Sequence, residues 1–170
     1  IGHCQEWQSK DVDVDFCTIG QKATNFFHRV QGEVIAEATH LGDKPAVSDL
    51  IGAVKAMLDL YQSQKVDALY IAYNDFENTM VQRPVIEKLL PIEPAKESAA
   101  KHAWDYLYEP DAKILIDFLL QRYVESQVYQ AVVENVASEH ASRMVAMKSA
   151  TENAGDLIDS LQLVYNKARQ

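Results

Sequence analysis

Three aspartates near the start of the chain are candidates for cation binding, since carboxylate oxygens are ligands that hard divalent ions prefer. Asp11, Asp13 and Asp15 alternate with Val12 and Val14. A calcium loop of the EF-hand type also needs a glycine and a distal glutamate at set positions, and this segment has neither. Alternation of polar and apolar residues instead predicts the solvated face of a strand. We therefore assign no metal to these residues.

The histidines and cysteines could also bind a metal. The five histidines are scattered along the chain: His3, His28, His40, His102 and His140. Neither HxxxH nor a His–Cys spacing occurs among them, so the pattern of a zinc site is missing. Cys4 and Cys17 form no CxxC, and one pair in a chain of this size is weak evidence for a disulfide framework. We expect free thiols in a reducing cytoplasm.

Motifs for nucleotide or covalent chemistry are missing as well. The sequence contains no P-loop, no GxGxxG and no nucleophile elbow. We therefore expect no catalytic residue and no cofactor in this chain. The alternative hypothesis is a small α/β enzyme or ligand-binding domain with a dimerising coiled-coil helix. Its site would lie at the carboxyl ends of strands, near Gly20 and Asn74. Stoichiometric binding of ATP or a flavin by the isolated chain would favour that alternative.

Composition restricts the partners further. The chain of 170 residues carries 16 Lys+Arg against 25 Asp+Glu, a formal net charge of −9. This sign disfavours binding to a phosphate backbone or an anionic lipid surface, so we expect no nucleic-acid partner. No run of 18 or more apolar residues, the length of a membrane span, is present.

The elements that would position any functional residue begin with four extended segments. Apolar runs predict strands at Val12–Ile19, Glu33–Ala38 and Ala68–Tyr73. The last of these, ALYIAY, is almost continuously apolar, which predicts a central strand buried on both faces. Met80–Leu90 is also extended, but Pro84 cannot donate to a ladder, so we place this segment at an edge.

Helical patterns separate these strands. Lys22–Val30 fits a short helix with Phe26 and Phe27 inward, and Pro45 opens a longer amphipathic helix. Alternating strands and helices are typical of a layered α/β fold. We predict a layered α/β/α, Rossmann-like domain over residues 1–110.

The last third of the chain, residues 111–170, has no proline and a single glycine, Gly155. Its helical spacing predicts one helix of about 90 Å at ~1.5 Å per residue. A domain of ~110 residues is only some 30 Å across, so the helix must project beyond it. Between Ile114 and Val124 the apolar residues occupy more than one face, which predicts that this part is anchored on the domain.

Farther along the helix the apolar residues narrow to one stripe. Their steps of three and four residues average near the ~3.5 of a coiled-coil seam. The stripe consists of Ala137, Ala141, Met144, Met147, Ala150, Ala154, Leu157, Leu161, Val164 and Ala168. Such a seam requires a partner helix that no other segment of this chain supplies. We expect an uncovered stripe to self-associate, or the helix to bend or fray near Gly155.

Three segments of the chain closely resemble the gamma subunit of bacterial F-type ATP synthases. They are YLYEPD (Tyr106–Asp111), RYVESQVYQAVVENVASEHASRMVAMKSAT (Arg122–Thr151) and LQLVYNKARQ (Leu161–Gln170). A weaker similarity runs back through LYIAYNDFENTMVQRPVIEKLLP to the strand that ends at Ile19 and Gly20. The resemblance covers essentially the whole chain.

The resemblance implies a non-catalytic central rotor that couples rotation of a membrane ring to ATP synthesis or hydrolysis in the catalytic hexamer. The N- and C-terminal helices of the family form an antiparallel coiled coil, so residues 111–170 would be half of the shaft and residues 1–110 its foot. The implied partners are the alpha and beta subunits, the epsilon subunit and the c-ring of a proton-translocating ATP synthase. The implied location is peripheral, at the cytoplasmic face of the bacterial inner membrane.

Five residues acquire implied roles from the same resemblance. Glu139 and Arg143 match an acid and an arginine of the shaft that face a loop of the catalytic stator subunits. Tyr106, Tyr108 and Glu109 match a docking surface for the membrane ring and the epsilon subunit. For the tyrosines, simple covering of a sheet edge is an open alternative.

This sequence differs from the whole family pattern at both ends. It lacks the N-terminal helix with its Gly-rich first strand, and it stops at Gln170, where the family's C-terminal helix continues. We therefore expect it to be a fragment of a longer subunit.

Overall fold

The computed structural model describes residues 6, 7, 10, 12–30, 32–92 and 112–170. Within these residues four strands and three helices follow one another, ending in a helix of 58 residues. The elements are β1 (Phe16–Ile19), α1 (Gln21–Arg29), β2 (Val34–Ala38), α2 (Val47–Gln62), β3 (Leu69–Phe76), β4 (Gln82–Leu90) and α3 (Ala112–Arg169). The predicted α/β class with a long C-terminal helix is confirmed.

The first three elements form a βαβ unit in which β1 and β2 pair in parallel. Gly20 turns the chain from β1 into α1 with a φ of 103°, a conformation that favours glycine. Inside the unit the hydroxyls of Thr18 and Thr24 form a buried hydrogen bond of 2.8 Å. The ring of Phe27 stacks on Phe16 at 4.3 Å between centroids. A helix packed by these contacts holds the two strands in register.

Two predictions about this unit need correction. The first strand begins at Phe16 rather than Val12, so Asp13 precedes the strand instead of lying on its face. Phe27 points inward as expected, and its ring stacks on Phe16. Phe26 is exposed, because its ring contacts that of Phe27 edge-on but does not reach Phe16.

The second helix, α2, is amphipathic and packs its apolar face into the domain. Leu50, Ala53, Val54 and Leu58 are buried at helical spacing. The Asp49 carboxylate accepts a hydrogen bond of 3.2 Å from the backbone amide of Ala46, which satisfies one free donor at the helix start. The expected helix after Pro45 is therefore confirmed, with its start at Val47.

The strands β3 and β4 form an antiparallel hairpin that is separate from the β1–β2 sheet. Pro84 lies in β4. Among the described strands β4 pairs only with β3, so the prediction that this segment is an edge strand is confirmed. The prediction that 68–73 is central and buried on both faces is wrong. Side chains of β3 alternate between covered and open positions, and Tyr70 is 46% exposed. One face packs on α3, and the ring of Tyr70 is partly covered by Trp7, at 4.8 Å between ring centroids.

The core has two apolar clusters, and α3 contributes to both. Val124 and Val128 meet residues of α2, β3 and β4 in the first cluster, which Ile19 of β1 also contacts. Val132 meets Leu50 and residues of β2 in the second. Because one helix supplies residues to both clusters, α3 joins the βαβ unit to the hairpin.

The anchored part of α3 lies later in the sequence than expected. It runs from Val124 to Ala141. Six of the preceding apolar side chains are 39–61% exposed, so the prediction that they are packed on the domain is wrong, whereas Leu115 is half-buried and Val124 is buried as predicted. The six exposed side chains are Ile114, Ile116, Phe118, Leu119, Leu120 and Tyr123.

Beyond the domain α3 projects into solvent. Every residue from Ala146 to Gln170 is exposed, and the helix stays continuous through Gly155. With 58 residues, α3 is roughly 87 Å long at ~1.5 Å per residue. No helix within the described ranges is long and apolar enough to cross a membrane.

Candidate functional site

The predicted pair Glu139–Arg143 lies on α3 where the helix leaves the domain. The guanidinium Nη2 of Arg143 donates to Glu139 Oε1 at 2.7 Å, across one helical turn. Both side chains are about half exposed, and Lys22 of α1 approaches the same oxygen to 3.8 Å. Because both side chains remain half exposed, the pair is accessible to a partner protein.

A groove beside this pair was not predicted. It has a volume of about 400 Å³ and is lined by Asp43, His140, Arg143, Met144 and Met147. His140 Nε2 lies 3.6 Å from Asp43 Oδ1, which connects α3 to the loop after β2. The groove thus places a guanidinium next to two exposed methionines. Such a surface can bind a partner segment with both acidic and apolar groups.

Sequence signals for part of this groove were present. The four helical residues recur at steps of three, one and three, so they share one face of α3. Asp43 could not be predicted, because only the packing of the loop against α3 brings it close. His140, interpreted from sequence as a scattered surface histidine, is indeed half exposed but has this acidic neighbour.

The apolar stripe of α3 is exposed from Met144 onward. Met144, Met147, Leu157, Leu161 and Val164 are all among the exposed large hydrophobic side chains. At the start of the stripe the prediction fails, because Ala141 is buried and Ala137 half-buried within the chain itself. The part of α3 that can accept a partner helix therefore begins at Met144, about two turns later than the sequence indicated.

The remaining predicted partner-binding residues cannot be placed. Tyr106, Tyr108 and Glu109 lie outside the described residues. Their proposed roles stay predictions.

No group of three or more potential metal ligands forms among the described histidines, cysteines and acids. A polar hollow of about 420 Å³ is lined in part by Asp13, Asp15, Glu33 and Lys65. The positive charge of Lys65 opposes the binding of a cation there. Asp11 lies outside the described residues.

The alternative ligand site near Gly20 and Asn74 also finds little support. The Asn74 side chain donates to Asn135 Oδ1 of α3 at 3.0 Å, so it is engaged in the fold. Gly20 directly follows β1, and Asn74 lies in β3. These two strands belong to separate sheets. Their ends do not form the shared edge of one parallel sheet on which such sites are built.

Cys17 is a thiol of β1 and is free. Burial raises its pKa to about 11, because a thiolate would lose hydration there. The thiol therefore stays protonated at neutral pH. Since the thiolate is the nucleophilic form, Cys17 is poorly suited to covalent catalysis.

Tyr73 of β3 faces several carboxylates. Burial raises the pKa of its phenol, and the charges of Glu87, Glu134 and Asp75 raise it further. Among the described residues, Glu134 Oε2 is a buried oxygen without a hydrogen-bond partner. Negative charges near a phenol oppose its ionisation, so Tyr73 remains neutral at physiological pH.

Comparison with known proteins gives a consistent result along the whole chain. Residues 2–170 match the family model described as ATP synthase. A protein of Xylella fastidiosa (strain M12) named ATP synthase gamma chain is 55% identical over 170 residues, covering 100% of this chain and 59% of that protein. A Nitrosococcus oceani protein of the same name is 60% identical over 169 residues, covering 98% of this chain and 58% of the relative. The chain thus spans just under three fifths of these relatives.

Solved structures share the fold at low sequence identity. A Tetrahymena thermophila mitochondrial ATP synthase central stalk and c-ring structure contains a chain with a TM-score of 0.60 and 19% identity. That match covers 78% of this chain and 58% of the other. A chain of the Euglena gracilis mitochondrial ATP synthase rotor has a TM-score of 0.59 and 18% identity, covering 99% and 67%. The likeness confirms the arrangement of an α/β domain with a long helix.

Proposed function

This chain belongs to the ATP synthase gamma-chain family, and on that premise we propose that it forms part of a central rotor shaft. The observation that carries the proposal is the projecting end of α3, exposed from Ala146 to Gln170 with an apolar stripe along it. A solitary helix with such a stripe is incomplete, because coiled-coil seams are buried against a partner. We propose that a second helix of the whole subunit, antiparallel to α3, covers it.

The proposed division of labour follows the shape of the chain. Residues 111–170 would act as the shaft, and residues 1–110 as the foot toward the membrane ring. The shaft would rotate inside a hexamer of alpha and beta subunits, which hold the nucleotide chemistry. The chain itself would be non-catalytic.

The proposed location follows from these partners. The foot would contact the c-ring and the epsilon subunit through Tyr106, Tyr108 and Glu109. The subunit would then lie peripherally at the cytoplasmic face of a bacterial inner membrane and couple proton translocation to ATP synthesis or hydrolysis.

For the shaft we propose that Glu139 and Arg143 contact a loop of the catalytic stator subunits. Two features support this role. Both side chains are half exposed where α3 leaves the domain, and Arg143 also lines the groove with Met144 and Met147. A carboxylate of the partner could replace Glu139 as the hydrogen-bond acceptor for the Arg143 guanidinium, since arginine binds carboxylates through more than one N–H.

Alanine substitution of Glu139 or Arg143 tests this assignment. The melting temperature of the isolated chain should stay nearly unchanged, because an exposed ion pair contributes only about 0.2–1 kcal/mol. In the complete complex, ATP synthesis and ATP-driven proton pumping should both fall, as measured in membrane vesicles.

The neighbouring pair Lys148–Glu152 provides a matched control on the same helix. Its atoms lie 3.9 Å apart with the same four-residue spacing. Lys148→Ala and Glu152→Ala should affect the activity of the complex less than changes at Glu139 or Arg143. Normal synthesis and pumping in both the Glu139 and Arg143 variants would reject the proposed stator contact.

A further inference from the structure

One face of α3 changes character halfway along its contact with the hairpin. Its residues follow steps of four, three, four, three and four, so they share a single line along the helix. The line consists of Val124, Val128, Ala131, Asn135, Ser138 and Ser142. The first three are buried apolar residues, whereas the last three are polar.

The three polar residues each have a hydrogen-bond partner in the hairpin. Asn135 Oδ1 accepts from Asn74 Nδ2 at 3.0 Å, and Ser138 Oγ donates to the Asn74 carbonyl oxygen at 3.3 Å. Ser142 Oγ lies 3.2 Å from Gln82 Oε1 and donates to it. We call these five residues the polar seam. It joins two turns of α3 to β3 and to the first residue of β4.

Apolar and polar contacts restrain a helix differently. The hydrophobic effect is non-directional, so small shifts of α3 on the hairpin change the buried apolar area only gradually. A hydrogen bond is lost when its atoms separate by about 1 Å beyond ordinary contact distance or tilt strongly. Moving α3 by one residue shifts it by ~1.5 Å and about 100°, which would break all three bonds.

The position of Asn74 strengthens this restraint. Its side chain and its carbonyl oxygen contact two different turns of α3, at Asn135 and Ser138. Ser138 is also buried, so its bond is shielded from competing water. A shift of the helix in either direction must therefore break a contact to the same strand residue.

We infer that the polar seam fixes the axial and rotational register of α3 on the β3–β4 hairpin. The apolar line from Val124 to Ala131 supplies adhesion, and the polar seam restricts the position of α3 more sharply than the apolar contacts do. This role goes beyond the proposed rotor function and holds whether or not the chain rotates. In a rotor, the same junction would transmit torque between the foot and the shaft without slipping.

Distances between two spin labels, measured by double electron–electron resonance, test this register role in the full chain. Cys4→Ser and Cys17→Ser remove the native thiols, and labels are attached at Ile86→Cys and Ser149→Cys, which are both exposed. The parent chain should give one narrow distance distribution. Asn135→Ala, Ser138→Ala and Ser142→Ala together should broaden it or add a population displaced by about 5 Å, one helical turn.

A matched triple variant controls for the loss of polar groups from the helix. Ser126→Ala, Asn153→Ala and Gln162→Ala remove exposed side chains of α3 that lie off the hairpin contact, and they should leave the distribution unchanged. An unchanged single distance in the polar seam variant would overturn the inference. If that variant does not fold, Asn135→Ala with Ser142→Ala keeps the buried Ser138, and an unchanged distribution there is equally contradictory.

Discussion

Replacing Leu161 by glutamate should abolish self-association of the isolated chain, whereas the same change at Leu163 should leave it intact. Leu161 lies on the apolar stripe of α3, and both leucines are well exposed, 58% and 64% respectively. Two positions along a helix correspond to about 200° around it, so Leu163 points away from the stripe. The two variants therefore introduce the same change at the same residue type on opposite sides of the helix.

The expected effect is large because the stripe from Met144 onward has no cover within the described chain. Leu157, Leu161 and Val164 could each gain about 1.5–3 kcal/mol by burial against another helix. At high concentration a second copy of the chain can provide that cover, and a charge at Leu161 would prevent it. Sedimentation equilibrium of the parent chain and both variants measures the difference.

The nature of the natural cover can be tested with a peptide. A peptide of the gamma family's N-terminal helix should compete with self-association and raise the helical circular-dichroism signal. A parent chain that remains a strict monomer at millimolar concentration, with α3 helical to Arg169, would contradict this account of the stripe.

Replacing Leu50 by alanine should destabilise the domain by about 2–5 kcal/mol, the range for large-to-small changes in a core. Leu50 is 2% exposed and packs in the cluster that joins α2, β2 and α3. Its removal leaves a cavity where two layers meet, so the contact between α3 and the βαβ unit should weaken. Urea denaturation followed by fluorescence measures the free energy of unfolding.

The neighbouring residue supplies the control. Ile51 belongs to the same helix but is 39% exposed, so Ile51→Ala removes a similar volume from a partly solvated site. Its cost should be clearly smaller than that of Leu50→Ala. Equal costs for the two variants would show that the Leu50 cluster does not hold the layers together.

Much of the fold could be predicted from sequence because its periodicities are local. The helix after Pro45 and the long helix from Ala112 lie where their apolar spacing placed them. The first strand was predicted too long, since alternating Asp and Val residues fit a strand, but in the described part of the chain β1 pairs with β2 only from Phe16 onward. Pairing, which decides strand length, is not encoded in the alternation itself.

Burial was harder to predict than secondary structure. An apolar run such as ALYIAY predicts a strand, yet Tyr70 is still 46% exposed although the ring of Trp7 lies 4.8 Å from it. The same difficulty explains why most apolar side chains from Ile114 to Tyr123 are exposed. Apolar residues on several faces of a helix indicate that the helix can be buried. They do not indicate which element of this chain would bury it.

The candidate site was predicted only where its residues share one helix. Glu139 and Arg143 meet as their four-residue spacing requires. Asp43 in the groove and Gln82 in the polar seam meet α3 only through tertiary packing, so no local pattern indicates them. A polar spacing such as Asn135, Ser138 and Ser142 most often marks a solvated helix face, which hides its contact with a strand.

The most direct test of the rotor proposal is to watch this subunit move inside its complex. A fluorescent rod would be attached to Lys55→Cys, which is exposed on α2, in a background carrying Cys4→Ser and Cys17→Ser. The catalytic hexamer would be immobilised on glass. We expect continuous rotation in one direction when ATP is added and none without it. A rod that keeps a fixed angle while the complex hydrolyses ATP at its normal rate would contradict the proposed function.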